Sequence, residues 1–259
     1  MLLAQSMRVF AVSDVHVDYA ANKRWVADLS ASDYRDDVLI LAGDISHSTR
    51  LLAWCLDTLA PRFAKVLYVP GNHDLWVIRD EGDQTSMDKF QQVREIAENC
   101  GASMRAFHCD GLSIVPLLGW YDYSFGEPTS ELLDSWVDFR ACRWPDRFSI
   151  NDVARHFLQF NERVLDVKNE TVISFSHFLP RIDLMPNYIP GNKRLLYPVL
   201  GSTGLEAQIR RLRPGIHVYG HSHVNRNVTV DGVSYINNAY GYPQEVSITA
   251  KRLVCIDER

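Results

Sequence analysis

Five short apolar runs in this chain end alike, and that repeated ending limits what it can fold into. "VFAV" leads into Ser13-Asp14-Val15-His16, "LILA" into Gly43-Asp44, and "LYVP" into Gly71-Asn72-His73-Asp74. "VISF" leads into Ser176-His177, and "HVYG" into His221-Ser222-His223. Each run has the length and β-branched content of a buried strand, so each polar cluster falls where a strand leaves its sheet. Singly, every cluster has an ordinary explanation. Pro-Gly-Asn is turn chemistry and Gly-Asp suits a helix cap. Five such endings in one chain are not covered by that explanation, because in an open α/β sheet the carboxyl ends of parallel strands face the ligand.

The order of elements predicts such a sheet. Strands are expected at residues 8–12, 37–41 and 65–69, alternating with helices at 22–30, 48–60 and 86–99, the last ending at Gly101. Strand-helix alternation with short crossovers gives parallel pairing and a layered α/β core. A strand at 112–118 precedes an irregular, aromatic-rich stretch, and a helix is expected at 150–167. Strand 171–175 is followed by "LPRIDLMPNYIPGNKRLLYP", which has four prolines and no periodicity. A long loop of this kind in a compact domain is usually functional. Thr203 to Glu206 has capping-box spacing and should start a helix ending near 212. After strand 216–219, Asp231-Gly232 between apolar runs predicts a type I′ hairpin, and 252–255 a final strand. With no repeat, linker or low-complexity tract, the reading is one domain over 1–259 with an insert and substrate-loop region at about 119–200.

Composition removes several classes. A hydrophobic content of 46% and a charged content of 23% describe an ordinary globular chain. The formal net charge of -5 argues against a broad nucleic-acid surface, which needs a basic footprint. Five cysteines without a C-x-x-C pattern fit reduced thiols better than a disulfide framework or a thiolate zinc site. No run approaches the apolar length of a membrane helix and no signal peptide is evident, so the expectation is a cytoplasmic protein without membrane contact.

Asp14, His16, Asp44, Asn72, His177, His221 and His223 form a mixed nitrogen and oxygen donor set. Such a set suits borderline divalent metals and contains no soft sulfur ligand. Seven donors exceed the needs of one tetrahedral ion, so a binuclear site sharing a carboxylate fits better.

In this order, Asp14-x-His16, Gly43-Asp44, Gly71-Asn72-His73-Asp74, a strand-terminal His177 and Gly220-His221-x-His223 resemble the motifs of the calcineurin-like metallophosphoesterases. The resemblance runs from residue 8 to about 236. It implies a layered α/β fold, a metallophosphoesterase-type β-sandwich flanked by helices, with the metals at the carboxyl ends of the strands. It also implies that Asp14, His16 and His223 hold one ion, that Asn72, His177 and His221 hold the other, and that Asp44 bridges them. His73 would be the unliganded catalytic histidine, contacting the phosphate and protonating the leaving group. The implied cofactors are two divalent ions drawn from Mn, Fe, Zn or Ni. Set against Asp14, Asp44 and a bridging hydroxide they leave a positive formal charge, the sign that attracts a phosphate ester. Many members carry His-His-Pro where this chain has His177-Phe178-Leu179-Pro180, so the loop beyond His177 is its own.

The implied activity is hydrolysis of a phosphomonoester or phosphodiester by hydroxide held at the metals. A small-molecule phosphate ester is the expected partner, ahead of nucleic acid. The other class of function is a catalytically weak relative serving as a protein-binding scaffold, which would be expected to have lost ligands. Candidate substrate contacts are Arg181, Lys193 and Arg194 in the proline-rich loop and Tyr121 just past a strand end, with Asp122 beside it. Arg140, Arg143, Trp144 and Arg147 read better as a solvated, salt-bridged face. His47, His108, His156 and His217 lack a partner at ligand spacing and are read as structural or solvent-facing. Asp74 is expected either to orient His73 or to close the turn.

Overall fold

The computed structural model describes residues 6–80 and 82–259. Two sheets face each other. The first has the order β11-β1-β2-β3-β4, from Val254–Glu258, Arg8–Val12, Val38–Ala42, Lys65–Val69 and Ala102–Ser103. The second has the order β5-β6-β7-β8-β10-β9, from Phe107–Cys109, Leu112–Pro116, Thr171–Phe175, Ile216–Tyr219, Val233–Asn237 and Arg226–Val230. β1, β2, β3 and β4 pair in parallel, as do β6, β7, β8 and β10.

The apolar runs are continuous because both faces of these strands are covered. Val9, Ala11, Val38, Ile40, Leu67 and Val69 point into the space between the sheets, against Ile114, Ile173, Phe175 and Val218. Their neighbours Phe10, Val12, Leu39, Leu41 and Val66 take the opposite face and pack on Val26, Leu52, Leu56 and Val93. Those partners belong to α1 (Ala20–Asp28), α2 (Thr49–Leu59) and α3 (Ser86–Asn99). On the second sheet, Val115 and Val172 pack on Leu205, Ile209 and Leu212 of α7 (Thr203–Leu212). Period-2 alternation thus builds one inter-sheet core and two sheet-helix cores. The fold is the sandwich flanked by helices that the motifs imply.

Local expectations mostly hold, with small shifts. α3 spans the expected residues and starts at a capping box between Thr85 and Asp88. Asp231 (φ 48°) and Gly232 (φ 84°) both lie in the left-handed region, as a type I′ turn requires. The start of α7 differs: Ser202 is the cap, accepting from the Gly204 N–H. Glu206 does not reach back to the cap, because its carboxylate takes Arg210 Nε at 2.5 Å and Tyr235 Oη at 2.8 Å. The expected helix at 150–167 is α6 (Ile150–Asn161) followed by a 3-10 turn. Two short helices, α4 (Ser130–Ser135) and α5 (Asp138–Ala141), lie in the aromatic-rich stretch. The proline-rich loop is not structureless, since 3-10 segments occupy Ile182–Leu184 and Gly191–Val199. Among the described residues no helix is long and apolar enough to cross a membrane.

His217, in the middle of the second sheet, is fully buried between two hydroxyls, Ser174 Oγ at 2.8 Å and Ser176 Oγ at 3.1 Å. Burial lowers its pKa to about 3. The unfolded chain takes up this proton near the ordinary value of about 6.5. The neutral folded form therefore contributes stability that is complete above about pH 6.5 and is lost as pH falls toward 3, at about 1.4 kcal/mol per pH unit. His217→Gln should lose about 2 kcal/mol less than the wild type between pH 6.5 and 5 in urea unfolding. Equal losses would assign the acid sensitivity to other groups.

Candidate metal centre

The seven candidate donors sit at the carboxyl ends of β1, β2, β3, β7 and β8, on the edge where both sheets meet. Five of them have left-handed backbone: Asp14 (φ 53°), His16 (φ 44°), Asp44 (φ 56°), His221 (φ 66°) and His223 (φ 52°). Non-glycine residues in this region each cost of order 1–3 kcal/mol and persist only where the surroundings hold them. Here the strand ends hold one another. Asp14 N–H donates to Gly43 O at 2.9 Å and His16 N–H to Asp44 O at 3.0 Å. His221 N–H donates to the Asp14 carboxylate at 3.1 Å, which ties the second sheet to the first. Asp74 closes the turn and does not orient His73: its carboxylate accepts the N–H groups of Asp44, Ile45, Ser46 and Gly71, each at 2.9 Å. Gly71 serves close approach, since a Cβ there would run into Asp44 Oδ1.

The side chains form two adjoining groups. In the first, His223 Nε2 lies 3.1 Å from Asp14 Oδ1 and 3.3 Å from His16 Nε2. In the second, His177 Nε2 lies 3.2 Å from both Asn72 Oδ1 and His221 Nδ1. Asp44 Oδ2 stands between them, 4.0 Å from His16 Nε2 and 3.5 Å from His177 Nε2. Asp14, His16, Asp44 and His177 are almost wholly buried. His73 is more open, with 18% of its side chain exposed; its Nε2 lies 4.0 Å from Asp44 Oδ2, its ring 3.7 Å from the Trp76 ring, and Tyr242 Oη 3.4 Å away.

This donor set fits divalent metal. In three histidines the far ring nitrogen has an oxygen partner: His177 Nδ1 with Ala42 O at 2.9 Å, His221 Nε2 with Val199 O at 3.0 Å, and His223 Nδ1 with Glu245 Oε2 at 2.7 Å. A ring nitrogen that donates to such an oxygen leaves the other with its lone pair facing the cluster, the arrangement usual for metal-ligating histidine. The electrostatics agree. Burial, followed by the charges of Asp14 and Asp74, pushes the Asp44 pKa well above the usual carboxylate range, a cost that cations would offset. Burial would lower the His223 pKa, but Asp14 and Glu245 outweigh it and raise it to about 10, so a cation held at Nε2 would have to displace the proton that these two carboxylates favour.

Not every candidate reaches the cluster. Tyr121 is fully buried among Trp120, Phe139 and Phe178, so it packs behind the site and is shielded from any substrate. Arg181 is committed to carboxylates: Asp183 at 2.7 Å, Asp231 at 2.9 Å and Glu206 at 3.2 Å. Asp231 lies in the hairpin turn before β10, at the edge opposite the metal-type donors, which removes Arg181 from the substrate side. Arg194 donates to Ile189 O and Asn187 O within its own loop, and Lys193 is exposed on the same 3-10 segment. The loop's apolar part does touch the centre, through Phe178 against the His221 ring at 4.8 Å and through Val199 O. Sequence reading missed Glu245, Asp138, Trp76 and Tyr242. Only Trp76, two residues after Asp74, had a positional clue.

A family profile described as calcineurin-like phosphoesterase matches residues 7–225. The chain is 28% identical to the acyl-carrier-protein phosphodiesterase PptH of Mycobacterium tuberculosis, over 92% of this chain and 78% of that protein. The crystal structure of the phosphopantetheinyl hydrolase PptH from Mycobacterium tuberculosis superimposes with a TM-score of 0.76 at 24% identity, covering 95% of this chain and 93% of the other. A purple acid phosphatase from yellow lupin seeds shares the fold more distantly, with a TM-score of 0.50 at 12% identity, covering 91% of this chain and 44% of that one. With the profile matching most of its length, this chain belongs to the calcineurin-like phosphoesterase family and is a metal-dependent phosphoric ester hydrolase.

Proposed function

We propose that the chain is a binuclear-metal phosphodiesterase. Asp14, His16 and His223 would hold one ion, Asn72, His177 and His221 the other, and Asp44 would bridge. The observation that carries this is the position of Asp44 Oδ2 between the two histidine groups, within 4.0 Å of His16 Nε2 and 3.5 Å of His177 Nε2. Nitrogen and oxygen donors suit Mn, Fe, Zn or Ni, and manganese is the ion to try first. When bound, two such ions lower the pKa of water and stabilise charge on the phosphoryl oxygens.

The chain's own residues supply the rest. His73 N–H donates to Asp44 Oδ1 at 2.9 Å, so the bridging carboxylate and the catalytic histidine are set by one contact. Trp76 stacks on the His73 ring and fixes its plane, with Nε2 held beside Tyr242 Oη at 3.4 Å and 4.0 Å from Asp44 Oδ2, where it would give a proton to the leaving oxygen. Tyr242, packed beside both the His16 and His223 rings at 4.6 and 4.8 Å, and Tyr19 next to it at 5.5 Å give the cluster an aromatic flank. Such a flank could pack on an organic substituent of a phosphate ester.

The relative's name supports a phosphodiester carried on a protein, and we infer that substrate class here, ahead of a free small-molecule ester. The test is a panel on protein stripped of metal and reloaded with manganese: a chromogenic diester, the matching monoester, and an acyl carrier protein bearing its phosphopantetheinyl diester. Hydrolysis of both diesters, dependent on manganese, is expected. Turnover of the monoester alone would sink the diester reading. Chromogenic diester cleavage with the carrier protein untouched would restore the small-molecule substrate, and no metal-dependent turnover at all would favour a scaffold.

A further inference from the structure

Asp138 opens α5, inside the stretch between the two halves of the fold, and is 2% exposed. Its carboxylate accepts three side-chain N–H groups: Asn72 Nδ2 at 2.9 Å and Trp76 Nε1 at 2.7 Å on Oδ1, and Trp136 Nε1 at 2.8 Å on Oδ2. α5 is docked beside the centre because Ala141 O accepts the N–H groups of Val77 and Ile78 at 2.8 and 3.2 Å.

We propose that Asp138 is the positioning residue that sets the Asn72 amide and the Trp76 indole together, and through them both a metal ligand and the platform of the catalytic histidine. An ionised carboxylate can only accept, so only the NH₂ end of Asn72 can face it. The carbonyl end then faces the cluster, where Oδ1 lies 3.2 Å from His177 Nε2. An amide binds a cation through its oxygen, so a flipped Asn72 would present two N–H donors and no ligand. The same Asp138 oxygen holds Trp76, whose ring stacks on His73 at 3.7 Å and 28°. A carboxylate with three donors is satisfied in its buried position and has no need of a cation of its own.

This role rests on the binuclear reading and deepens it. The test is calorimetric titration of Mn²⁺ into metal-free full-length protein. The wild type should take up two ions, and Asn72→Ala shows which dissociation constant belongs to the Asn72 side. Asp138→Leu, which keeps much of the side chain's shape but offers no acceptor to Asn72, should weaken that constant by roughly 10–100-fold, the usual effect of losing a residue that orients a ligand. The other ion should be unaffected. Adding Asp138→Leu to Asn72→Ala should change the constant no further, because both act through one group. Equal weakening of both ions, or additive effects in the double variant, would make Asp138 a scaffold residue and overturn the role. Two ions bound as in the wild type would overturn the role alone, whereas a wild type that takes one ion overturns the binuclear reading with it. If Asp138→Leu fails to fold, the crystal structure of the Mn²⁺-loaded wild type decides. Asn72 Oδ1 on the ion with Nδ2 on Asp138 supports the role, and the opposite amide orientation ends it.

Discussion

Asp44→Asn should abolish turnover and weaken retention of both ions while leaving the fold intact. Asp44 has φ 56°, and Asn is among the few residues that adopt this region readily, so the backbone need not move. Oδ1 accepts the His73 N–H at 2.9 Å, and in the variant that bond would keep the amide oxygen in place. The NH₂ group then falls where Oδ2 stands, 3.5 Å from His177 Nε2 and 4.0 Å from His16 Nε2. A shared negative charge is thereby replaced by a donor that cannot ligate. Metal ions contribute several kcal/mol of transition-state stabilisation, so kcat should fall by at least about 10³-fold. Metal content after gel filtration should fall as well. Near-normal turnover with two ions retained would remove Asp44 from the bridging position.

His73→Ala is expected to separate catalysis from metal binding. The side chain is partly open and stacked on Trp76, so its loss leaves a gap at the rim and does not break the buried cluster. A positioned proton donor is worth roughly 10²–10⁴-fold, and the loss should lie in that range for esters whose leaving group needs a proton. A nitrophenolate ester, which needs none, should suffer much less. Equal losses on the two esters would mean that His73 acts by contacting the phosphoryl oxygens. His73 also stands close enough to His16 and Asp44 to share an ion with them. Loss of an ion in the variant would therefore make it a ligand and redraw the roles within Gly71-Asn72-His73-Asp74.

What could be read in the chain was local. A buried strand and the residues directly after it are contiguous, so the five donor clusters, the bounds of α3 and the Asp231-Gly232 turn follow from patterns a few residues long. The pairing of β11 with β1 and the division into two sheets join residues far apart in sequence, and no short pattern records them. The same limit applies around the site. Glu245 meets His223 across 22 residues and Asp138 meets Asn72 across 66, so either carboxylate reads in the sequence as one more surface acid. Arg181 is the converse: its position after His177 suggested a substrate contact, yet Asp183, Glu206 and Asp231 claim its guanidinium. The sequence determined which donors stand at the strand ends, because apolar patterning and turn chemistry act over a few residues. The partners that hold those donors in their working orientation were decided only by the tertiary structure, because a hydrogen bond depends on which segments the packed core brings within 3 Å.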